Sequence, residues 1–250
     1  MKKTIRLIAI TMLLIITVAG CGKKESAGTD TSLENIKAKG KLVLGLDDEF
    51  PPMGFKNENQ EIVGFDIDVA KEVCKRMGVE LVIQPISWEA KELELSTKNI
   101  DCIWNGMTYN KERAKAMTLS KPYMKNTQVA VVLADSDVNS LKDLAGKTVA
   151  IQNGSTASDA IEANPEFKDS LKELVKVDNN VQALLDLKVS GSDAVVMDEV
   201  VARYYAEKEP GTYKILNETM SDEEYVIGFR KGEESLCNEV EKYLKEMKDD

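Results

Sequence analysis

The chain has 250 residues, 33 of them Lys or Arg, 43 Asp or Glu and none histidine, for a net charge of −10. The missing histidine excludes Ser-His-Asp and Cys-His nucleophiles and every histidine-ligated metal site. The acidic balance speaks against nucleic acid and anionic lipid surfaces, whose phosphates require a surplus of Lys and Arg.

Residues 1–6 (MKKTIR) form a basic start, and residues 7–18 (LIAITMLLIITV) an apolar run. That run falls short of the roughly 20 residues a membrane-spanning helix needs, and its flanks fit a secretory signal. Val18-Ala19-Gly20-Cys21 resembles a bacterial lipobox, in which the cysteine thiol receives a lipid and becomes the new N-terminus. Residues 22–32 (GKKESAGTDTS) are small and polar, as a flexible tether requires. The expected organisation is a signal peptide over residues 1–20 and a tether over 21–35 with Cys21 lipidated. A globular body would then sit outside the cell membrane, held by that anchor alone.

Within the body, residues 41–46 (KLVLGL) read as a buried strand. A loop over 47–55 follows, whose two prolines forbid helix. Asp66 or Asp68 caps a helix with apolar face Val69, Ala70, Val73, Cys74 and Met77, ending at Gly78. Residues 80–84 predict a strand, 89–97 a short helix and 101–104 a strand leading into a loop at Asn105-Gly106. Asn110 caps a helix through Met117. Residues 127–134 are a strand, Ser140 with Asp143 forms a capping box, and 148–151 lead into Asn153-Gly154-Ser155-Thr156 and a helix. Helix 180–189, strand 193–197, helix 199–208, strands 213–216 and 225–229 and a final helix 233–248 complete the chain. Cys74, Cys102 and Cys237 form no CxxC motif and read as small buried hydrophobes.

Strands alternating with helices predict an α/β protein with mainly parallel sheets, and domain size divides it into two lobes. Ligands in such folds gather at the carboxyl ends of strands. There, Arg113, Thr108, Ser155 and Thr156 suit a carboxylate, and Asp198 suits an ammonium. Taken singly, Arg113 also fits a solvated helix charge and Asp198 a plain N-cap.

Several segments together resemble the extracellular solute-binding proteins of polar amino-acid ABC transporters, with the type 2 periplasmic-binding-protein fold. They are Gly45–Met53, IVGFDIDVAKEV (62–73), DCIWNGMTYNKERAKAMTLSKPY (101–123), SLKDLAGKTVAIQNGST (140–156) and DAVVMDE (193–199). The resemblance implies a two-lobed α/β protein, lobe 1 being residues 36–127 with 226–250 and lobe 2 residues 128–225. It implies hinge rotation near 125–130 and 220–226. It also implies capture of a free amino acid, polar or basic, for an ABC permease by a monomer without cofactor, metal or enzymatic activity.

By position, Phe50 and Trp88 would sandwich the ligand side chain, with Asp47 near its far end. Asn105, Gly106 and Thr108 would contact the amino acid, Arg113 would clamp its carboxylate, and Gln152, Ser155 and Thr156 would close from the second lobe. Asp198 would receive the ammonium. Asn105-Gly106 stands where the histidine-binding branch has paired serines. Leu81 stands where that branch has a disulfide partner for Cys74. The family continues beyond the last helix, so the chain reads as shortened. Two rival readings of the same fold are a cyclohexadienyl-type dehydratase and a ligand-sensing module.

Overall fold

A computed structural model of the chain describes residues 29–249. The signal segment, Cys21 and most of the expected tether lie outside the described residues. The tether does not reach residue 35: helix α1 (Ser32–Lys39) already occupies that stretch. Ile36 draws it in by burying itself in the first-lobe core, and Asp30 accepts the Ser32 N–H at 2.9 Å.

After β1 (Lys41–Leu46), the expected loop is instead a small antiparallel sheet of β2 (Glu49–Phe50), β3 (Gly54–Lys56) and β4 (Ile62–Val63). Helix α2 (Phe65–Met77) buries Ile67, Ala70, Val73, Cys74 and Met77 on one face, and Gly78 ends it at φ 74° in the left-handed conformation glycine adopts freely. Its N-cap position is Gly64, not Asp66 or Asp68; Asp66 is fully buried and bonds elsewhere. β5 (Glu80–Pro85), α3 (Lys91–Ser96), β6 (Cys102–Thr108), α4 (Lys111–Ala116) and β7 (Met117–Leu119) follow. Residues 105–108, expected in a loop, continue β6. The strand survives the bend because Gly106 takes φ 56° and the pairing with its antiparallel neighbour slips in register nearby.

β8 (Met124–Leu133) leads into the second lobe. That lobe holds β9 (Thr148–Gln152), α5 (Thr156–Glu162), α6 (Pro165–Ser170), β10 (Glu173–Val177), α7 (Asn180–Lys188), β11 (Ala194–Asp198) and α8 (Glu199–Lys208). α6 and β10 were not among the expected elements, although Asn164-Pro165 is a helix-start signal. The first is six residues resting on an Asn164 cap, and the second has no fully buried position. β12 (Tyr213–Arg230) returns through both lobes, so the two strands expected at 213–216 and 225–229 are the ends of one. α9 (Glu234–Asp249) closes on the first lobe through Leu236, Cys237 and Val240.

The main sheet runs β10-β9-β11-β8-β12-β6-β1-β5, with β7 also on β12. Its flanks are parallel, and β8 pairs antiparallel along its whole length with Tyr213–Tyr225 of β12. One end of that ladder belongs to the first lobe and the other to the second. The boundaries expected at 127/128 and 225/226 fall inside these two strands. β12 slips register against β8 between Ile215 and Ser221.

Cys74, Cys102 and Cys237 are free and share one apolar cluster with Leu42, Leu44 and Phe229. Burial pushes the Cys74 and Cys237 thiols up to about 12. Only the thiolate reacts. With Cys21 replaced by Ser, the native protein should therefore resist a thiol reagent at pH 8, and three thiols should titrate after unfolding. A fast-reacting thiol in the native state would contradict the burial.

Candidate functional site

The carboxyl ends of β1 and β6 from one lobe face those of β9 and β11 from the other. Nine residues from these ends, the turn after β5 and the segments that follow line one small interlobe cavity: Phe50, Trp88, Gly106, Thr108, Arg113, Gln152, Ser155, Thr156 and Asp198. Asp47 and Asn105, the other two residues predicted for the site, are buried beside it. Asn105 Oδ1 accepts the Asp47 N–H at 3.1 Å, and Asp47 Oδ2 accepts from Gln152 Nε2 across the cleft at 2.7 Å. Burial first, then the neighbouring Glu49 and Asp48, pushes the Asp47 carboxyl up to about 6 against its hydrogen bonds.

Asn110 caps α4 by accepting the Arg113 N–H at 2.8 Å, which fixes where the arginine leaves the helix. Its guanidinium, 5% exposed, donates to Thr108 O at 2.6 Å and to Gly154 O of the second lobe at 3.1 Å. Among the described residues it forms no ion pair. Desolvation lowers its pKa, while Asp159, Glu92, Glu223 and Asp198 oppose that shift. The solvated-helix reading of Arg113 is therefore wrong: the charge is buried.

Gly106 has a second reason to be glycine. A Cβ there would lie 2.8 Å from the Phe50 ring and 3.2 Å from Tyr225. Its N–H donates to Asp66 Oδ2 at 2.7 Å, and the Tyr123 hydroxyl donates to the same oxygen at 3.1 Å. Asp66 thus braces the cavity wall from behind, and burial raises its carboxyl to about 7.

Asp198 stands at the N-cap position of α8 yet makes no capping bond. Its Oδ1 accepts from Asn126 Nδ2 at 2.6 Å and from the Tyr225 hydroxyl at 2.7 Å. Burial, then the charge of Glu223, raises its carboxyl to about 7. The Ser155 hydroxyl turns back onto Gln152 O at 2.8 Å. The Trp88 ring carries the Lys91 ammonium 4.9 Å from its centre, so one face of the expected aromatic sandwich is already covered. Lys91 also donates to Gly154 O at 3.0 Å, and desolvation, then Arg113, lowers its pKa to about 8.

Other contacts span the cleft beside the cavity. Asn110 Nδ2 donates to Asp159 at 2.8 Å, and the Phe55 and Tyr204 rings meet at 5.5 Å between centres. Sequence reasoning missed Asp66, Lys91, Asn126, Tyr225 and Glu223. Lys91 and Glu223 sat within runs of charge, Asp66 read as a helix cap and Tyr225 as part of a strand, and Asn126 lay just outside the strand expected at 127–134. Among the described residues, no group of three or more Cys, Asp and Glu has the arrangement of a metal site.

Two lobes hinged by a shared strand pair, closing over a small cavity that holds a buried guanidinium and a buried carboxyl, define a solute-binding protein. The chain belongs to the bacterial extracellular solute-binding proteins, family 3, matching over residues 42–250. It is therefore a binding protein and not an enzyme, which sets aside the dehydratase reading. It is 33% identical over 259 residues to the glutamine-binding protein of Geobacillus stearothermophilus, covering 96% of each chain. It is 31% identical over 252 residues to the arginine-binding extracellular protein ArtP of Bacillus subtilis, covering all of this chain and 94% of that one. The holo structure of the arginine-binding protein ArgBP of T. maritima superimposes with a TM-score of 0.80 at 40% identity, over 86% of this chain and 93% of that one.

In the folded protein, burial leads the upward shift of Asp47, Asp66 and Asp198 from an ordinary 3.8 to about 6, 7 and 7. Their contribution to stability is complete below the unfolded value and is lost as pH rises through about 6 to 7. Without amino acids present, the melting midpoint should be higher at pH 5 than at pH 8, and Asp66→Asn should flatten the difference. A midpoint that climbs from pH 5 to 8 would contradict these environments.

Proposed function

We propose that the protein captures a free polar amino acid between its lobes and delivers it to the permease of an ABC transporter. The observation that carries this reading is the cavity itself, where Arg113 and Asp198 are buried without pairing to each other. A zwitterion meets both needs at once: its carboxylate takes the guanidinium fork and its ammonium takes the aspartate. Lobe closure on β8 and β12 excludes water from those contacts, and hinge rotation falls near residues 125–130 and 220–226. Phe50, Trp88, Gly106 and Thr108 hold the ligand on the first lobe; Gln152, Ser155 and Thr156 complete the enclosure.

The protein acts as a monomeric lipoprotein, anchored through Cys21 on the outer face of the membrane. Arginine is the first side-chain candidate. Its flat cation stacks on an aromatic ring and pairs with the Asp47 carboxyl once Gln152 moves away. The identity to an arginine-bound homologue supports that choice, and the glutamine-binding relative marks the competing polar side chain.

A thermal-shift series with L-arginine, L-glutamine, L-histidine and L-cystine tests the reading. A ligand at a hundred times its dissociation constant stabilises by about 2.7 kcal/mol, a shift of a few degrees. Arg113→Ala should weaken the ligand that shifts the wild type by about a hundredfold, because the bound carboxylate loses its fork. Unchanged affinity sinks the assignment. Asp47→Asn should cost L-arginine about tenfold and spare L-glutamine; equal losses for both would remove Asp47 from side-chain recognition.

A further inference from the structure

Glu223 lies on β12 directly opposite Asn126 of β8, at the crossing between lobes. Its carboxyl is buried and makes no ion pair among the described residues. Three donors converge on its Oε2: Thr108 Oγ1 at 2.8 Å, Gln128 Nε2 at 3.0 Å and Asn126 Nδ2 at 3.1 Å. Its Oε1 lies 3.5 Å from Ser221 Oγ. A buried carboxyl with no ion-pair partner is costly to fold around unless hydrogen-bond donors replace the water it loses.

Thr108 lines the cavity, and a threonine hydroxyl has one hydrogen to give. Glu223 takes that hydrogen, so toward the cavity Thr108 Oγ1 can only accept. Asn126 Nδ2 is shared between Glu223 and Asp198, which fixes the amide plane beside the aspartate. Asn126 Oδ1 and Gln128 Oε1 are also buried without a partner. On the cavity wall itself, Thr108 Oγ1 and the Asp198 carboxyl are the acceptors on this side, a pair that suits a group with several N–H donors better than a carboxylate.

We propose that Glu223 is a positioning residue for the ligand's α-ammonium: it makes Thr108 an obligate acceptor and steadies Asn126 against Asp198, so that the site demands a free primary ammonium. The inference rests on the amino-acid reading given above.

Calorimetric titration of the purified protein tests it. The probes are L-arginine, L-glutamine, L-histidine and L-cystine, each with its Nα-acetyl derivative. Wild type should bind one or more of the four and reject the acetylated forms. Glu223→Ala frees the Thr108 hydroxyl and should cost about a hundredfold, while Glu223→Gln keeps an acceptor and should cost about tenfold. Preference over the acetylated ligand should shrink by the same factors.

The pH profile separates positioning from mere packing. Asp198 is faced by Glu223 and Tyr225 from β12, by Asn126 and Gln128 from β8, and by Arg113 from α4; Glu199, next along α8, is turned toward Thr127 and Arg203. Tyr225 is pushed well above 10 and stays neutral. Binding an ammonium requires Asp198 ionised, so wild-type affinity should fall as pH drops below about 7. Removing the like charge in Glu223→Gln should move that fall to lower pH.

An unshifted profile with wild-type affinity in Glu223→Gln overturns the inference, even if Glu223→Ala fails to fold. If wild type binds none of the four probes, the amino-acid reading fails first and this inference falls with it.

Discussion

Burying charge between two lobes is unfavourable unless each charge finds donors or acceptors, and the architecture near the cleft answers that requirement. Arg113 rests on two carbonyls, one from each lobe. Asp198 rests on an amide and a phenol, and Asp66 on a backbone N–H and a second phenol. None of these partners carries the opposite charge. These groups are held in place by neutral donors and acceptors instead of ion pairs, and burial pushes both carboxyls up to about 7.

The β8–β12 ladder gives this arrangement its mechanical setting. Both lobes share the same two strands, with parallel sheets flanking them on either side. Glu223, Asn126 and Gln128 occupy that ladder where it passes behind the cavity. Asn126 of that ladder also bonds Asp198 on the cavity wall, so the strands that join the lobes and the wall of the cavity share residues. Contacts beside the cavity, such as Asn110 to Asp159 and Phe55 to Tyr204, add to closure without touching the enclosed space.

Much of this was legible in the sequence. The 3.6-residue period of α2, the glycine stop at Gly78, the Asn110 cap and the Ser140–Asp143 capping box are local signals, set by neighbours a few residues away. The candidate site was legible through the family resemblance, which assigned Phe50, Trp88, Thr108, Arg113 and Asp198 by position where each residue's own signal was weak. What failed to register depends on distant partners. Residues 213–216 and 225–229 read as separate strands because the intervening NETMSDEE is polar; pairing with β8 makes it strand. Asp66 looked like a helix cap because no local signal announces a backbone N–H 40 residues away.

By itself, then, the sequence determined an α/β chain of two lobes, several helix caps and stops such as Asn110 and Gly78, the buried thiols and the residue types gathered at the strand ends. Those follow from periodicity, caps and composition, which act over one or two turns of chain. Only the tertiary structure decided which charges are buried, which carboxyls face a cation and which face only neutral donors. Lys91 and Glu223 show the difference. Each sits in a run of charged residues that reads as solvated surface, yet each is drawn into the cleft because contacts from remote segments, Gly154 for one and Thr108, Asn126 and Gln128 for the other, replace the water it gives up.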